Sequence, residues 1–392
     1  ISLLSTINSR FQIDLTAAQL YENTTVQSLG QYIINYRHNE NRSKELRIVK
    51  DEINQIKESI LSRIDDKEII DDIYPMSDIQ KGMLFASLIN KGMNVYHNQL
   101  LYQFTVSNFQ KNSFEKALSL LIQKHTILRT IFDLKIHEED VQIVLKSYPP
   151  LIRYISLEDQ PKNERENYIS THMAGERKID FDIKLPLWRM TMFSINDNDM
   201  ILVFEFHHAI LDGWSVTSFI QELTTTYYKV LIDECYSPKS IAATYKEMIL
   251  QERYSKQNDA FRTFWESELN GYERLDIFSK QNTYQTEHRF LNPNITKKLK
   301  QFAEEYQVTL KTVMLGAYSY LLQFLTYKSD VTIGLVGNNR PIVEDGDKIL
   351  GCFLNTLPFR YIFNQSNETI ANFVRDVHQK TIDRRNAEKV TL

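Results

Sequence analysis

The densest group of chemically able side chains is Phe206-His207-His208-Ala209-Ile210-Leu211-Asp212-Gly213-Trp214-Ser215. An imidazole, with a reference pKa of about 6.5, is mostly neutral at pH 7 and can accept or steer a proton. The apolar run before the pair reads as a strand, where neighbouring side chains point to opposite faces, so one of the two histidines at most addresses a substrate. Asp212 either orients an imidazole as a triad acid does or pairs with an arginine and braces the turn. No serine or cysteine nucleophile accompanies it, which favours bracing. Gly213 lacks a Cβ, which suits an unusual φ or the close approach of a ligand. A metal set of His207, His208 and Asp212 is disfavoured, because adjacent strand histidines diverge.

These residues need elements to hold them. Leu3, Leu4, Ile7 and Phe11 recur at helical spacing, 12–15 reads as a short extended link, and Val26, Leu29 and Ile33 begin a second amphipathic helix. From Ser43 to Asp72 charge is dense while Ile53, Ile56, Ile60 and Ile64 hold one stripe, as in a charged connector helix lying on a neighbour. Ser77 is placed to cap a helix through Asn90, Ser113 one from Phe114 to His125, and Ser215 one from Val216 to Ile232. Strands are expected at 100–106, 141–145, 187–194 and 200–206. The alternation then restarts, with helices at 259–269, 295–306, 310–327 and 370–384 and strands at 288–291, 331–336 and 353–362. The pattern predicts an α/β protein of two similar lobes meeting at a cleft, the usual place for a substrate.

Composition narrows the class. With 392 residues, 42% apolar and 24% charged, the chain can fill more than one core. A net charge of −4 without a long basic run gives no footprint for nucleic acid or an anionic membrane. The uncharged apolar stretch Thr312 to Tyr327 is too short to span a bilayer. Cys235 and Cys352 are the only thiols, which suits a reducing, cytoplasmic setting.

His207-His208-x-x-x-Asp212-Gly213 resembles the active-site motif of the condensation domains of nonribosomal peptide synthetases, relatives of chloramphenicol acetyltransferase. Its companions come in family order. Tyr74-Pro-Met-Ser-Asp-Ile-Gln80-Lys-Gly-Met-Leu84-Phe85 is similar to the first motif and Lys124-His125-Thr-Ile-Leu128-Arg129-Thr130-Ile-Phe132 to the second. Gly351-Cys-Phe-Leu-Asn355-Thr356-Leu-Pro-Phe-Arg360 looks like the fifth, preceded by Val336-Gly337-Asn-Asn-Arg340-Pro341, while Tyr245-Lys-Glu-Met matches the fourth loosely. The first 37 residues resemble the back half of a peptidyl carrier domain.

The resemblance implies an all-α carrier fragment at 1–37, a charged linker at 38–72, an N-terminal lobe at 73–240 and an incomplete C-terminal lobe at 241–392. The two chloramphenicol-acetyltransferase-like lobes would form a V around the cleft. It implies amide formation between thioesters on an upstream and a downstream carrier, with 4'-phosphopantetheine on those carriers and its serine upstream of Ile1. Adenylation and carrier domains would follow. In that frame His208 orients the amine or takes its proton, and the Gly213 N–H is a candidate oxyanion donor. Asp212 pairs with Arg129, His207 is structural, Trp214 packs, and Asn355 and Arg360 brace the opposite cleft wall. Gly213 favours condensation over epimerisation. Residues 74–85 look like the type that accepts a D-configured donor, but the carrier fragment runs straight into the domain with no epimerisation domain between them, which leaves a dual epimerisation/condensation or divergent type as the alternative. Intact histidines speak against a non-catalytic recruiting domain.

Overall fold

The computed structural model describes residues 2–11, 13, 15, 17–35, 40–134, 139–275, 287–363, 369–385 and 387–389. Residues 12 and 14 of the expected link, and 36–37 of the expected carrier fragment, lie outside them. The chain parts into two compact units, Ile1–Tyr254 with Arg340–Leu354, and Ser255–Asn339 with Asn355–Leu392. The expected division at 240/241 is therefore displaced, and the second lobe returns a segment to the first.

The elements run α1 (Ser2–Phe11), α2 (Ala17–Glu22), α3 (Val26–Asn35), α4 (Glu40–Leu61), β1 (Ile70–Pro75), α5 (Asp78–Ile89), β2 (His97–Thr105), α6 (Lys111–Lys124), β3 (Thr130–Asp133), β4 (Val141–Leu145), β5 (Ile152–Ser156), α7 (Lys162–Glu176), β6 (Trp188–Ser194), β7 (Asp199–His207), α8 (Gly213–Ile232) and α9 (Lys246–Lys256). After them come α10 (Asp259–Leu269), α11 (Pro293–Glu305), α12 (Leu310–Thr326), β8 (Asp330–Asn338), β9 (Leu354–Ile362) and α13 (Ile370–Arg385). No helix among the described residues is long and apolar enough to cross a membrane.

Unit one carries the expected α/β layering in two sheets. β1, β4 and β3 form one, antiparallel throughout. The other has the order β2-β7-β6-β5; only β5 and β6 are parallel, joined by the crossover helix α7 as a parallel pair requires. Alternation along β7 sorts its side chains. Met200, Leu202, Phe204 and Phe206 enter the main core, where Phe204 lies 5.4 Å from Phe219 of α8. Val203, Glu205 and His207 face the other way and are also buried, so β7 is covered on both sides.

The stripe on α4 is packed, not tethered loosely. Val49 and Ile53 join the main core, while Ile56, Ile60 and Ile64 meet Ile70, Ile73, Val141 and Ile143 of β1 and β4. The linker expected at 38–72 thus contains a docked helix and ends inside a strand. Burial of such side chains contributes about 1.5–3 kcal/mol each, enough to hold the helix down.

Ser77 caps α5 as its spacing predicts, in a reciprocal capping box with Gln80. The other two expected caps are corrected. α6 begins behind Gln110 without a side-chain cap, and α8 is capped by Asp212. Residues 288–291 form no strand; Phe290 is fully exposed and no ladder receives it.

Candidate active site

β7 ends at His207, and the chain turns through His208 to Leu211 before α8 begins. Ala209, Ile210 and Leu211 are wholly buried, which fixes the turn from below. Gln80 holds it from the side, its amide donating to the Ala209 carbonyl at 3.3 Å while also bonding Gln142. Gln80 is fully buried, so the first sequence motif acts here as a brace for the histidine turn.

The two histidines have different environments. His207 is 3% exposed; its Nδ1 accepts the Ala209 N–H at 3.1 Å and its Nε2 lies 2.8 Å from Ser87 Oγ. An accepting Nδ1 requires the proton on Nε2, so the ring is neutral and both nitrogens are occupied. His208 is half-buried, its backbone N–H donates to Tyr96 O at 2.8 Å, and its buried Nδ1 has no partner among the described residues. Of the pair, only His208 keeps a ring nitrogen uncommitted.

Burial, with the neighbouring His208 and His97, lowers His207 to about 4 from its ordinary 6.5. A group depressed in the folded state adds stability above its unfolded pKa and loses it as pH falls, here between 6.5 and 4. Wild-type melting temperature should therefore fall more steeply over that window than that of His207→Gln. Parallel pH profiles for the two proteins would show that His207 protonates freely in the folded state.

Asp212 is 2% exposed and held from several directions. Its Oδ1 accepts the Ser215 N–H at 2.8 Å, and its Oδ2 accepts the Phe353 N–H at 3.1 Å. The expected partner Arg129 is elsewhere. Arg129 bonds Asp71 at 2.8 Å and the Leu145 and Gln123 carbonyls, because the turn that carries it leads into β3 on the other sheet. Arg340 stands where Arg129 was expected, its guanidinium 3.9 Å from Asp212 Oδ1 and 3.1 Å from Ser215 Oγ. It also donates to the carbonyls of Gly346 and Ile349 and lies over the Phe353 ring at 4.0 Å. Burial holds Arg340 below its usual pKa, partly offset by Asp212.

Ser215 does not cap the helix. Its hydroxyl donates to Gly351 O at 2.8 Å and receives the Gly351 N–H at 3.1 Å, clamping the turn to 351–353. Trp214, expected to pack, is 59% exposed, since Ser215, Val216 and Phe219 take the inward face of α8. A Cβ on Gly213 would meet nothing within 4 Å and its φ is not left-handed, so backbone strain does not explain this glycine. It is the first residue of α8, where N–H groups lack intrahelical acceptors.

Gly351, by contrast, is required by packing. A Cβ there would lie 2.6 Å from Cε2 of Tyr245 and 3.0 Å from Cε2 of Phe353. Tyr245 is fully buried, with its hydroxyl donating to Cys352 O at 2.7 Å and 3.1 Å from Ser77 Oγ, so the ring has no room to swing. Gly351→Ala should cost about 1–3 kcal/mol by overpacking, measured by denaturant unfolding. An unchanged midpoint would mean that the ring yields.

In unit two, Asn355 donates to Glu388 O at 2.8 Å and Arg360 clasps Asp330 at 2.7 Å while donating to the Glu268 and Asn270 carbonyls. Both are ties within that unit. The sequence reading gave no role to Arg340, Ser87, Gly351 or Tyr245. Arg340, Gly351 and Tyr245 lie in quoted motifs, but nothing in their spacing names a partner.

A mixed α/β unit that presents a histidine with an uncommitted ring nitrogen after a strand end, before a helix N-terminus, can accept or steer a proton. Residues 70–392 match the family model described as Condensation domain, and the chain belongs to that family. Tyrocidine synthase 2 of Brevibacillus parabrevis is 28% identical over 338 residues, covering 83% of this chain and 9% of that protein. Bacitracin synthase 3 of Bacillus licheniformis is 28% identical over 309 residues, covering 76% and 5%. The chain thus corresponds to a small part of these curated relatives.

Among solved structures, the condensation domain from Monacolin K polyketide synthase MokA shares the fold, with a TM-score of 0.65, 19% identity and coverage of 82% of this chain and 75% of that one. The first condensation domain of the calcium-dependent antibiotic synthetase, in complex with substrate analogue 2a, gives 0.64 at 18% identity, covering 81% and 76%.

Proposed function

We propose that the domain forms an amide bond in nonribosomal peptide synthesis. The amine of an aminoacyl thioester on a downstream carrier attacks the carbonyl of a peptidyl thioester on an upstream carrier. A C–N bond forms, the C–S bond breaks, and the pantetheine thiol leaves with the proton released by the amine. The observation that carries this reading is the unlike bonding of the two histidines: His207 is saturated, whereas His208 is half-exposed with its Nδ1 unpartnered. His208 orients the amine or takes its proton, and the Gly213 N–H at the start of α8 is the donor suited to a developing oxyanion.

Little covalent help is needed. A thioester is already activated, and an α-amine with a pKa of about 7.7–8.0 is partly neutral at pH 7. Holding two tethered reactants together can supply roughly 7–11 kcal/mol, more than a general base contributes. The flanking assignments belong to the same proposal. Residues 1–37 are the tail of a carrier domain, its arm 4'-phosphopantetheine, with adenylation and carrier domains as further partners in the cytoplasm. Residues 74–85 resemble the type that accepts a D-configured donor, whereas a carrier fragment leading directly into the domain points to a dual epimerisation/condensation or divergent type; the assay with donors of each configuration decides between them. Gly213 and the intact histidine pair favour condensation over epimerisation or simple recruitment.

The test is dipeptide formation followed by mass spectrometry, with both carriers charged and donors of each configuration. Tethering raises effective concentration toward the millimolar range, so free acyl-CoA and free amino acids at micromolar levels should give negligible product. Untethered transfer at a matching rate would make the domain a small-molecule acyltransferase instead.

A further inference from the structure

A cavity of about 350 Å³ lies in unit one on the side of β7 that carries His207, within the roughly 300–1,000 Å³ range of ligand pockets. The loop between α5 and β2 forms one wall and residues 180–183 another. That loop holds two non-glycine residues in the left-handed region, Asn94 at φ 56° and Tyr96 at φ 63°. Such conformations persist where surroundings over-determine them and concentrate at ligand and functional sites.

Two hydrogen-bonding groups in this cavity lack partners among the described residues. His97 is 6% exposed, and its Nε2 lies 3.2 Å from Glu205 Oε1, which fixes a proton on that nitrogen. Glu205 is itself held by Gln99 at 2.7 Å and faces Arg189 at 3.7 Å. The other ring nitrogen of His97, Nδ1, engages no group among the described residues, and the ring lines the cavity. Asn94 contributes a buried Oδ1, also without a partner. His207 adds nothing further, because both its nitrogens are occupied. Asn94 Oδ1 therefore offers an acceptor, and a buried acceptor without a donor is costly. At the rim Asp180 and Asp182 outnumber Lys91, while Leu84, Leu88 and Phe181 supply apolar wall.

We propose that this cavity binds a primary amine carried on a short apolar chain, at a place separate from the His208 side chain. Its occupancy is transmitted to His208, because Tyr96, in the same strained loop, accepts the His208 backbone N–H at 2.8 Å. The inference concerns binding and stands apart from the proposed chemistry, so a failed carrier assay leaves it untouched.

The test is a titration of protein carrying ¹⁵N-labelled imidazoles with leucinamide. His97 and His208 are assigned among the nine histidines with His97→Gln and His208→Gln. The His97 signal should shift saturably at millimolar leucinamide, with a smaller shift at His208, and neither should move with N-acetyl-leucinamide. Asn94→Gly, which keeps the left-handed backbone and removes the amide, should weaken Kd by about tenfold. Leucyl-pantetheine binding at least about tenfold tighter than leucinamide would assign the amine to a carrier, and equal affinity would assign it to free amines. The proposal is overturned by an absent shift at His97, by an equal response to the acetylated compound, or by an unchanged Kd in Asn94→Gly. Those results would leave the cavity to water.

Discussion

Replacing His208 with alanine should lower dipeptide formation by at least about 10²-fold while leaving the melting temperature within a degree or so of wild type. The half-buried ring closes no core and its Nδ1 holds no partner, so its removal leaves nothing unsatisfied behind. His207→Ala should do the opposite. It strips the Ala209 N–H of its acceptor, removes one of the partners of Ser87 and opens space under the turn, so soluble yield and melting temperature should fall first. Measuring both proteins by circular dichroism and by single-turnover product formation separates the two roles. A well-folded, inactive His207→Ala beside an active His208→Ala would reverse the assignment of the pair.

The legible parts of this protein were those with local causes. Helix α5 announces itself through its cap at Ser77, α10 and α12 lie within a residue of their expected bounds, and β4 is a branched run that matches the structure residue for residue. Less legible were elements whose pattern was diluted by charge. β1 begins Ile-Asp-Asp, and its register with β4 shifts between Ile70 and Asp72, so a charged linker concealed a strand. β3, of four residues, has too few positions for a period to show, β5 carries Arg153 inside its short run, and the fifteen-residue α7 is only weakly amphipathic.

The candidate site divides in the same way. Its histidines stand together in sequence and are legible there. Its bracing is long-range: Asp212 to Phe353, Ser215 to Gly351 and Gln80 to Ala209 each join residues more than a hundred positions apart. Spacing carries no information about such pairs. Arg129 and Arg340 are indistinguishable as partners for Asp212 until the sheets are placed, and the former proves to belong to the β1-β4-β3 sheet.

A double-mutant cycle turns that correction into a measurement. Asp212→Ala removes a helix cap, an acceptor for Phe353 N–H and the counter-charge of a buried guanidinium together. It should cost about 3–5 kcal/mol, as breaking a buried ion pair from one side does. Asp212→Asn keeps an oxygen for the Ser215 N–H and should retain much of the capping contribution, about 1 kcal/mol. Arg340→Ala should also be severe, since Asp212 would then be buried with backbone donors alone. Because Asp212 and Arg340 share Ser215 and sit 3.9 Å apart, the double variant should lose less than the sum, with a coupling of about 0.5–3 kcal/mol. Asp212 and Arg129 share no partner, so their effects should add within about 0.5 kcal/mol. Coupling of Asp212 to Arg129, with none to Arg340, would restore the pairing that the sequence suggested. Activity should follow stability in each of these variants, because Asp212 acts on His208 only through the turn; a variant with full stability and no turnover would instead make the carboxylate an orienting partner of the imidazole.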